Sequence, residues 1–187
     1  MNQGTRELAE RVRLAIWSGF YTPDEVLELI DNFSNAAADE AGIRAMVGPE
    51  FARKAAAEAT WPEVTDCDRL DLAFERLDAN GFVALQNAGT PLSDGFSDVA
   101  EVRAEVDASR VHGYCFYHGR DVERAVRGGG LMITHGAFAE DREAQWEAGR
   151  FVQQVLEDVG FFVRWYGGPG TRMEIPSLEW KRRSPTE

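Results

Sequence analysis

Residues 65–85 read TDCDRLDLAFERLDANGFVAL, and their pattern is that of a helix followed at once by a strand. The fold class can be predicted from this pattern. Thr65 is a favourable N-cap residue. The apolar residues after it recur three or four positions apart, as on one helix face: Cys67, Leu70, Phe74 and Leu77. Asn80 and Gly81 are typical of a helix end, and Phe82–Leu85 is short and apolar, as a buried strand is. A helix and a strand joined this closely predict a sheet covered by helices.

The same alternation of helical and strand-like periods continues to residue 175. A helix that opens at Ser93 and Asp94 has an apolar face formed by Phe96, Val99, Val102 and Val106. The next predicted elements are a strand at 114–117, a helix at 121–127, a glycine break at 128–130, a strand at 131–134, a helix at 142–159 and strands at 161–166 and 172–175. We therefore predict an α/β or α+β fold with a mixed sheet of about five strands that ends in an antiparallel hairpin.

Residues 1–62 are predicted to be helical. Thr22-Pro23-Asp24-Glu25 combines an N-cap, a proline in the first turn and the glutamate of a capping box. Trp61-Pro62 ends the last of these helices, because the residue before a proline disfavours the α conformation. No Gly- or Ser-rich linker follows, so we expect this helical part to pack on an α/β core at 63–187 as one compact unit.

Side-chain alternation predicts the register of the C-terminal hairpin. Val163 and Trp165 share one strand face, and Met173 lies on the apolar face of the returning strand. Setting Arg164 opposite Glu174 places apolar residues opposite each other, whereas a shift of one residue mixes charges into the apolar face. We predict that Arg164 and Glu174 form a cross-strand pair.

Charge and composition limit the classes of function. The chain has 187 residues, of which 44% are hydrophobic, enough to bury a sizeable core. Its 32 Asp and Glu residues outnumber 20 Lys and Arg residues, for a formal net charge of −12. Such a charge repels phosphate backbones and anionic membranes, so we expect no nucleic-acid and no membrane partner. A basic protein partner is compatible with it, and Lys181-Arg182-Arg183 is expected to be a solvated tail.

The two cysteines, Cys67 and Cys115, both fall on predicted apolar faces and are expected to be reduced, buried and unreactive. This low count does not fit a disulfide-rich secreted scaffold, and residues 1–10 do not resemble a secretory signal. We therefore expect a cytoplasmic location. The sequence does not indicate an oligomeric state.

Polar side chains follow the first three predicted strands: Asn87 the first, His118 the second and His135 the third. If these strands run parallel, their carboxyl ends meet at the edge where open α/β sheets bind ligands. His118 is the candidate acid-base residue, and Arg120 and Arg124 follow it in a helix as candidate ligand-binding residues, together with Asn87 and His135. The alternative is a strand-end histidine that only satisfies a neighbouring hydrogen bond.

Asp66 and Asp68 are the candidate carboxylate partners of His118 in a catalytic group. Both lie in the first turn of the helix that opens at Thr65, where the helix dipole favours negative charge. Capping of that helix is therefore the alternative explanation for both residues.

The sequence predicts no metal site and no cofactor. His112 and His118 are six residues apart on an extended segment, which separates them by about 20 Å, too far to share one ion. No CxxC, HxH or HExxH spacing occurs, and the glycines at 128–130 lack the Lys-Ser/Thr of a phosphate-binding loop.

Several strings resemble a known family: TDCDRLDLAF (65–74), GFVALQNAG (81–89), SDG (93–95), GYCFYHGRDVERAV (113–126) and the closing segment 165–183. The family is bacterial and is described only as a domain of unknown function. The resemblance covers about two thirds of the chain and implies no activity.

Two functions remain open. The first is an acidic binding or regulatory protein that recognises another macromolecule, favoured by the net charge and the lack of a catalytic signature. The second is a small hydrolase or transferase that uses His118 with an aspartate. A pocket around His118 favours the enzyme, and a flat acidic face favours the binding protein.

Overall fold

The computed structural model describes residues 2–33 and 39–185. Within these ranges the chain forms seven helices and four strands: α1 Gln3–Ser18, α2 Pro23–Phe33, α3 Glu40–Glu58, α4 Asp66–Ala79, β1 Phe82–Leu85, α5 Leu92–Glu105, β2 Gly113–Phe116, α6 Gly119–Val126, β3 Leu131–Ala137, α7 Arg142–Asp158 and β4 Met173–Ile175. No helix in these ranges is both long and apolar enough to cross a lipid bilayer.

The chain divides into two compact units at Thr65. Unit 1 comprises Met1–Thr65 and Lys181–Glu187, and unit 2 comprises Asp66–Trp180. Unit 1 is a three-helix cluster whose buried residues include Val12, Ile16, Val26, Ile30 and Ile43. Unit 2 holds the whole sheet and the remaining four helices of the described residues.

The predicted capping box of α2 is confirmed. The amide of Thr22 donates to the Glu25 carboxylate at 2.7 Å, and the amide of Glu25 donates to the Thr22 hydroxyl at 3.3 Å. The last helix predicted within residues 1–62 is α3, which begins at Glu40, after the N-cap Asp39, and ends at Glu58, shortly before Trp61-Pro62.

The basic C-terminal stretch packs on the helical part of unit 1, to which it belongs, and is not the solvated tail expected from its charge. The guanidinium of Arg182 lies 4.6 Å from the ring centre of Phe20, and Arg183 donates to the Pro62 carbonyl at 2.7 Å. The amide of Ser184 donates to Glu58 at 2.8 Å. Stacking and backbone hydrogen bonds thus fix residues whose charge alone suggested solvation.

The sheet of unit 2 has the strand order β1-β2-β3-β4. β1 pairs parallel with β2, whereas β3 runs antiparallel to both β2 and β4. The parallel arrangement on which the grouping of the three strand ends depended therefore holds for β1 and β2 but not for β3. The chain turns at Gly128 and Gly130, which both have positive φ, and β3 starts at the edge where β2 ends.

Across residues 66–180, all of which the structure describes, the sheet has four strands instead of the expected five. Residues 161–166 contact β4 through one bridge, in which the amides and carbonyls of Arg164 and Glu174 exchange hydrogen bonds of 2.8 and 3.0 Å. The predicted register is thus confirmed. Pro176 has no amide hydrogen, so the ladder cannot extend to the next hydrogen-bonded pair, which would include Phe162.

Helices cover both faces of the sheet. On one face, Phe74 of α4 contacts Tyr117 with ring centres 5.4 Å apart, and α7 packs on β3. On the other face, Phe96 of α5 contacts Phe116 at 5.1 Å, and α6 packs on β3. Because neighbouring residues of a strand point to opposite faces, Cys115 and Phe116 of β2 belong to different layers.

Both cysteines are buried and neither forms a disulfide, as predicted. Burial in the apolar layer raises the pKa of the Cys115 thiol far above its ordinary value. Its lack of reactivity remains a prediction.

Candidate functional site

The ends of β1 and β2 bring two of the predicted site residues together. The pairing of these strands continues past their last residues, since the amide of Ala88 donates to the Tyr117 carbonyl and that of Gly119 to the Gly89 carbonyl, each at 2.9 Å. Asn87, whose φ of 54° is in the left-handed region, and His118 lie within these two paired segments. Parallel pairing of β1 and β2 therefore places both at one edge of the sheet.

The His118 side chain is enclosed at this edge, with 8% of its surface exposed. Its Nε2 lies 3.3 Å from Oδ2 of Asp121. Because a carboxylate only accepts hydrogen bonds, this contact favours the tautomer with hydrogen on Nε2 and a lone pair on Nδ1. Nδ1 is buried and makes no well-formed hydrogen bond, although it faces the first turn of α6. Burial lowers the pKa of His118, Asp121 opposes that shift, and Arg172 and Arg120 add to it.

Asp121 is the carboxylate that organises this cluster. Its Oδ2 accepts the amide of His118 at 3.1 Å and also a hydrogen bond from Nη2 of Arg172. The same Nη2 donates to the Met132 carbonyl at 3.1 Å. Asp121 therefore ties the start of α6 to β3 and to the residue before β4, a structural role that needs no ligand.

The predicted partners of His118, Asp66 and Asp68, do not contact it. Asp66 binds the guanidinium of Arg69 and accepts the amide of Glu179 at 2.9 Å, while Asp68 is exposed. The partner of His118 is instead three residues along the chain, at the third position of α6. The spacing His-x-x-Asp at a helix start resembles a capping box and is the signal that could have identified Asp121.

His135 does not join the site, because β3 is antiparallel. It pairs with Cys115 in the middle of the sheet and lies on the face covered by α7. The edge of its ring meets Trp165, with centres 5.3 Å apart. Burial lowers the pKa of His135 to about 4, and the nearby backbone of Thr171 opposes that shift.

The two candidate arginines of α6 have different surroundings. Arg120 is exposed at the start of the helix, near enough for its charge to lower the pKa of His118. Arg124 donates to Glu174 at 2.7 Å, and Arg164 binds the same carboxylate at 2.8 Å. Arg124 thus holds α6 to β4, whereas the ligand-binding role of the exposed Arg120 remains a prediction.

An open apolar groove of about 460 Å³ lies beside α5 and was not predicted from the sequence. Small residues of the helix, Ala100 and Ala104, line it together with the aromatic residues Phe96, Tyr114 and Phe138. Phe96 was assigned to the buried face, yet 42% of its surface is exposed. The buried residues of α5 are Gly95 and Val99, so Phe96 sits at the margin of the packed face.

A line of acidic side chains runs along the other side of α5. Asp94, Asp98, Glu101 and Glu105 follow one another at intervals of four, three and four residues, which places them on one helix face. Within the described ranges, no Lys or Arg forms an ion pair with any of them. The spacing is visible in the sequence, but the burial is not: Asp94, Glu101 and Glu105 are exposed and Asp98 is half-buried. We call these four residues the α5 acidic line.

Comparison with known proteins gives a family but no activity. Neither a curated protein nor a solved structure matches the chain. A family model matches residues 1–184, which include residues of both units. The chain therefore belongs to the family described as Domain of unknown function (DUF6891).

Proposed function

We propose that this protein is an acidic recognition domain that binds a basic protein or peptide. The observation that supports this most strongly is the distribution of charge. Unit 2 contains 20 of the 32 Asp and Glu residues and 11 of the 20 Lys and Arg residues, so it holds −9 of the formal net charge of −12. A field of one sign attracts partners of opposite charge and speeds their encounter.

The α5 acidic line concentrates part of this negative charge on one face of a single helix. Carboxylates three and four residues apart on one helix repel each other, by about 0.2 to 0.5 kcal/mol per pair. Glu101 and Glu105 also lie toward the carboxyl end of the helix, where the dipole disfavours negative charge. This repulsion lowers the stability of the free chain, and a cationic partner would relieve it on binding. Relief of the repulsion would then add to the affinity.

Selection from a random peptide display library, with the full chain as bait, tests this function. We expect the enriched peptides to carry an excess of Lys and Arg over the starting library, and their affinity to fall as salt is raised. Enrichment without an excess of basic residues, or no enrichment at all, contradicts the proposal.

A second function is supported by one observation at the sheet edge. His118 is held by a carboxylate through Nε2, so Nδ1 carries the lone pair that a general base of a small hydrolase or transferase requires. The imidazole is enclosed, its side chain caps the backbone of Asp121 at the start of α6, and Arg172 binds the Asp121 carboxylate, so this is the weaker proposal.

A panel of chromogenic ester, thioester and phosphoester substrates separates the two functions. The catalytic function requires turnover by the native chain that is lost in His118→Asn and retained in His112→Asn, which replaces an exposed histidine outside this cluster. Circular dichroism checks that His118→Asn folds. No turnover by the native chain, or equal turnover by His118→Asn, rejects the catalytic function.

A further inference from the structure

The solvent side of α5 presents three chemically different strips. At about 100° per residue, Phe96 lies about 180° around the helix from the α5 acidic line, and Ala100 and Ala104 lie between them on the solvent side. Gly95 and Val99 lie between them on the buried side. A partner resting on the alanines therefore meets an aromatic strip on one flank and carboxylates on the other.

The alanine strip has the geometry of a helix-packing groove. Phe96, Ala100 and Ala104 are spaced four residues apart, so they form one of the rows that guide helix-on-helix packing. Both alanines are exposed, and their small side chains let a second helix approach closely. Apolar side chains of that helix reach the groove between Phe96, Tyr114 and Phe138.

The acidic line repeats with the pitch of a helix. Its members span twelve residues, about 16 Å along the axis, with roughly one carboxylate per turn. Lys or Arg side chains at intervals of three and four residues on a partner helix would match them one for one. An extended peptide has no such repeat, so charge complementarity favours a helical partner.

Arg103 adds a constraint on orientation. It is the one basic residue of α5, and its guanidinium lies 3.9 Å from the ring centre of Phe138 in the groove, away from the acidic line. A partner helix with basic residues on both flanks would place some of them against Arg103. The groove therefore favours a helix that is basic on one flank and neutral or acidic on the other.

We infer that the solvent side of α5 is the docking site for an amphipathic helix of a partner protein, with its basic flank on the α5 acidic line and its apolar residues in the groove. This inference rests on the proposed function and names the surface and the kind of partner. Helix-in-groove recognition with apolar anchors at helical spacing is a common mode of peptide binding.

The test measures binding of the peptides enriched by display, synthesised with a fluorescent label, to the full chain and to matched variants. Glu101→Gln/Glu105→Gln removes two carboxylates of the line, and Glu143→Gln/Glu147→Gln removes two exposed carboxylates at the same spacing on α7. Phe96→Ala and Phe151→Ala remove aromatic side chains of similar exposure, 42% and 37%. Each pair has the same chemistry, and only the first member lies on α5.

We expect the α5 carboxylate variant to weaken binding about 10-fold and Phe96→Ala about 30-fold, while the α7 variants change it less than about 2-fold. Circular dichroism and thermal unfolding check that every variant folds. If the native chain binds basic peptides but the α5 variants lose no more affinity than the α7 variants, the peptides do not dock on α5. The proposed function then stands, and the docking site is rejected. If the library yields no basic peptide, both are rejected.

Discussion

Helices α7 and α5 lie on opposite faces of one sheet and obey local rules to different degrees. The N-cap Asp141 of α7 accepts the amide of Ala144 at 2.8 Å, and Glu143 places negative charge in the first turn. Five residues of α7 are buried: Ala148, Gly149, Val152, Val155 and Leu156. Its N-terminus and packed face thus favour the helix and its attachment to the sheet.

Helix α5 lacks two features that stabilise α7, a side-chain cap and a large buried face. Its N-cap is Pro91, which makes no side-chain hydrogen bond. Its buried residues are Gly95 and Val99, while Leu92 and Phe96 are substantially exposed. Departures of this kind from local consistency are expected at functional surfaces, and this is the role that we propose for α5.

The largest difference should appear when one large apolar side chain of each helix is truncated. Leu156 of α7 is fully buried, so Leu156→Ala should lower the free energy of unfolding by about 2 to 5 kcal/mol. Phe96→Ala removes more atoms but should cost less, because much of the ring is already in solvent. Urea unfolding of both variants measures this. A greater loss for Phe96→Ala would identify Phe96 as a core residue and remove it from the docking surface.

Acid should weaken the α7 side of the sheet through His135. Because burial lowers its folded pKa to about 4, the unfolded chain binds a proton below about pH 6.5 that the folded chain does not. Stability should therefore fall as the pH drops from 6.5 to 4, by about 3 kcal/mol from this residue.

His135→Gln provides the control for this prediction. Its unfolding free energy, measured in urea at several pH values above 5, should depend less on pH than that of the native chain. Burial of His118 acts in the same direction and remains in the variant. If the unfolding free energy depends on pH equally in the two proteins, His135 binds its proton in the folded chain as readily as in the unfolded chain, and the prediction is wrong.

Removal of the α7 cap should have a moderate effect. Asp141→Ala leaves the amide of Ala144 without its side-chain acceptor and should lower the free energy of unfolding by about 1 kcal/mol. Pro91→Ala on α5 removes no cap hydrogen bond and is the matched variant. If calorimetry finds no loss for Asp141→Ala, capping does not distinguish the two helices.

The smallest expected effect is a gain in stability when carboxylates of the α5 acidic line are neutralised. Glu101→Gln/Glu105→Gln relieves repulsion within α5 and should raise the free energy of unfolding by about 0.5 kcal/mol at low salt. Glu143→Gln/Glu147→Gln should give no gain, because Glu143 lies where the dipole favours it. The difference should shrink as salt is added. A loss of stability in the α5 variant would mean that the acidic line supports the fold.

Local patterns were sufficient for much of the fold. The helix and strand at 65–85 and the pairing of Arg164 with Glu174 follow from side-chain periodicity and were predicted correctly. The direction of β3 was not, because a glycine turn such as 128–130 permits either path and long-range packing selects between them.

The candidate site was predictable only in part. The position of Asn87 beside the His118 segment follows from parallel pairing of β1 and β2. The contact of Asp121 with Arg172 joins residues 51 positions apart, and no local pattern indicates it. The spacing of the α5 acidic line could be read from the sequence, but the exposure of Phe96 depends on how the helix is rotated against the sheet.

Hydrogen exchange of the full chain, alone and with a basic peptide enriched by display, tests whether α5 is the recognition helix. We expect amides of α5 to exchange faster than those of α7 in the free chain, since α5 lacks a side-chain cap and buries fewer residues. We expect the peptide to slow exchange across 92–105 and to leave 142–158 unchanged. Protection of α7 with no change in α5 would contradict this role of α5.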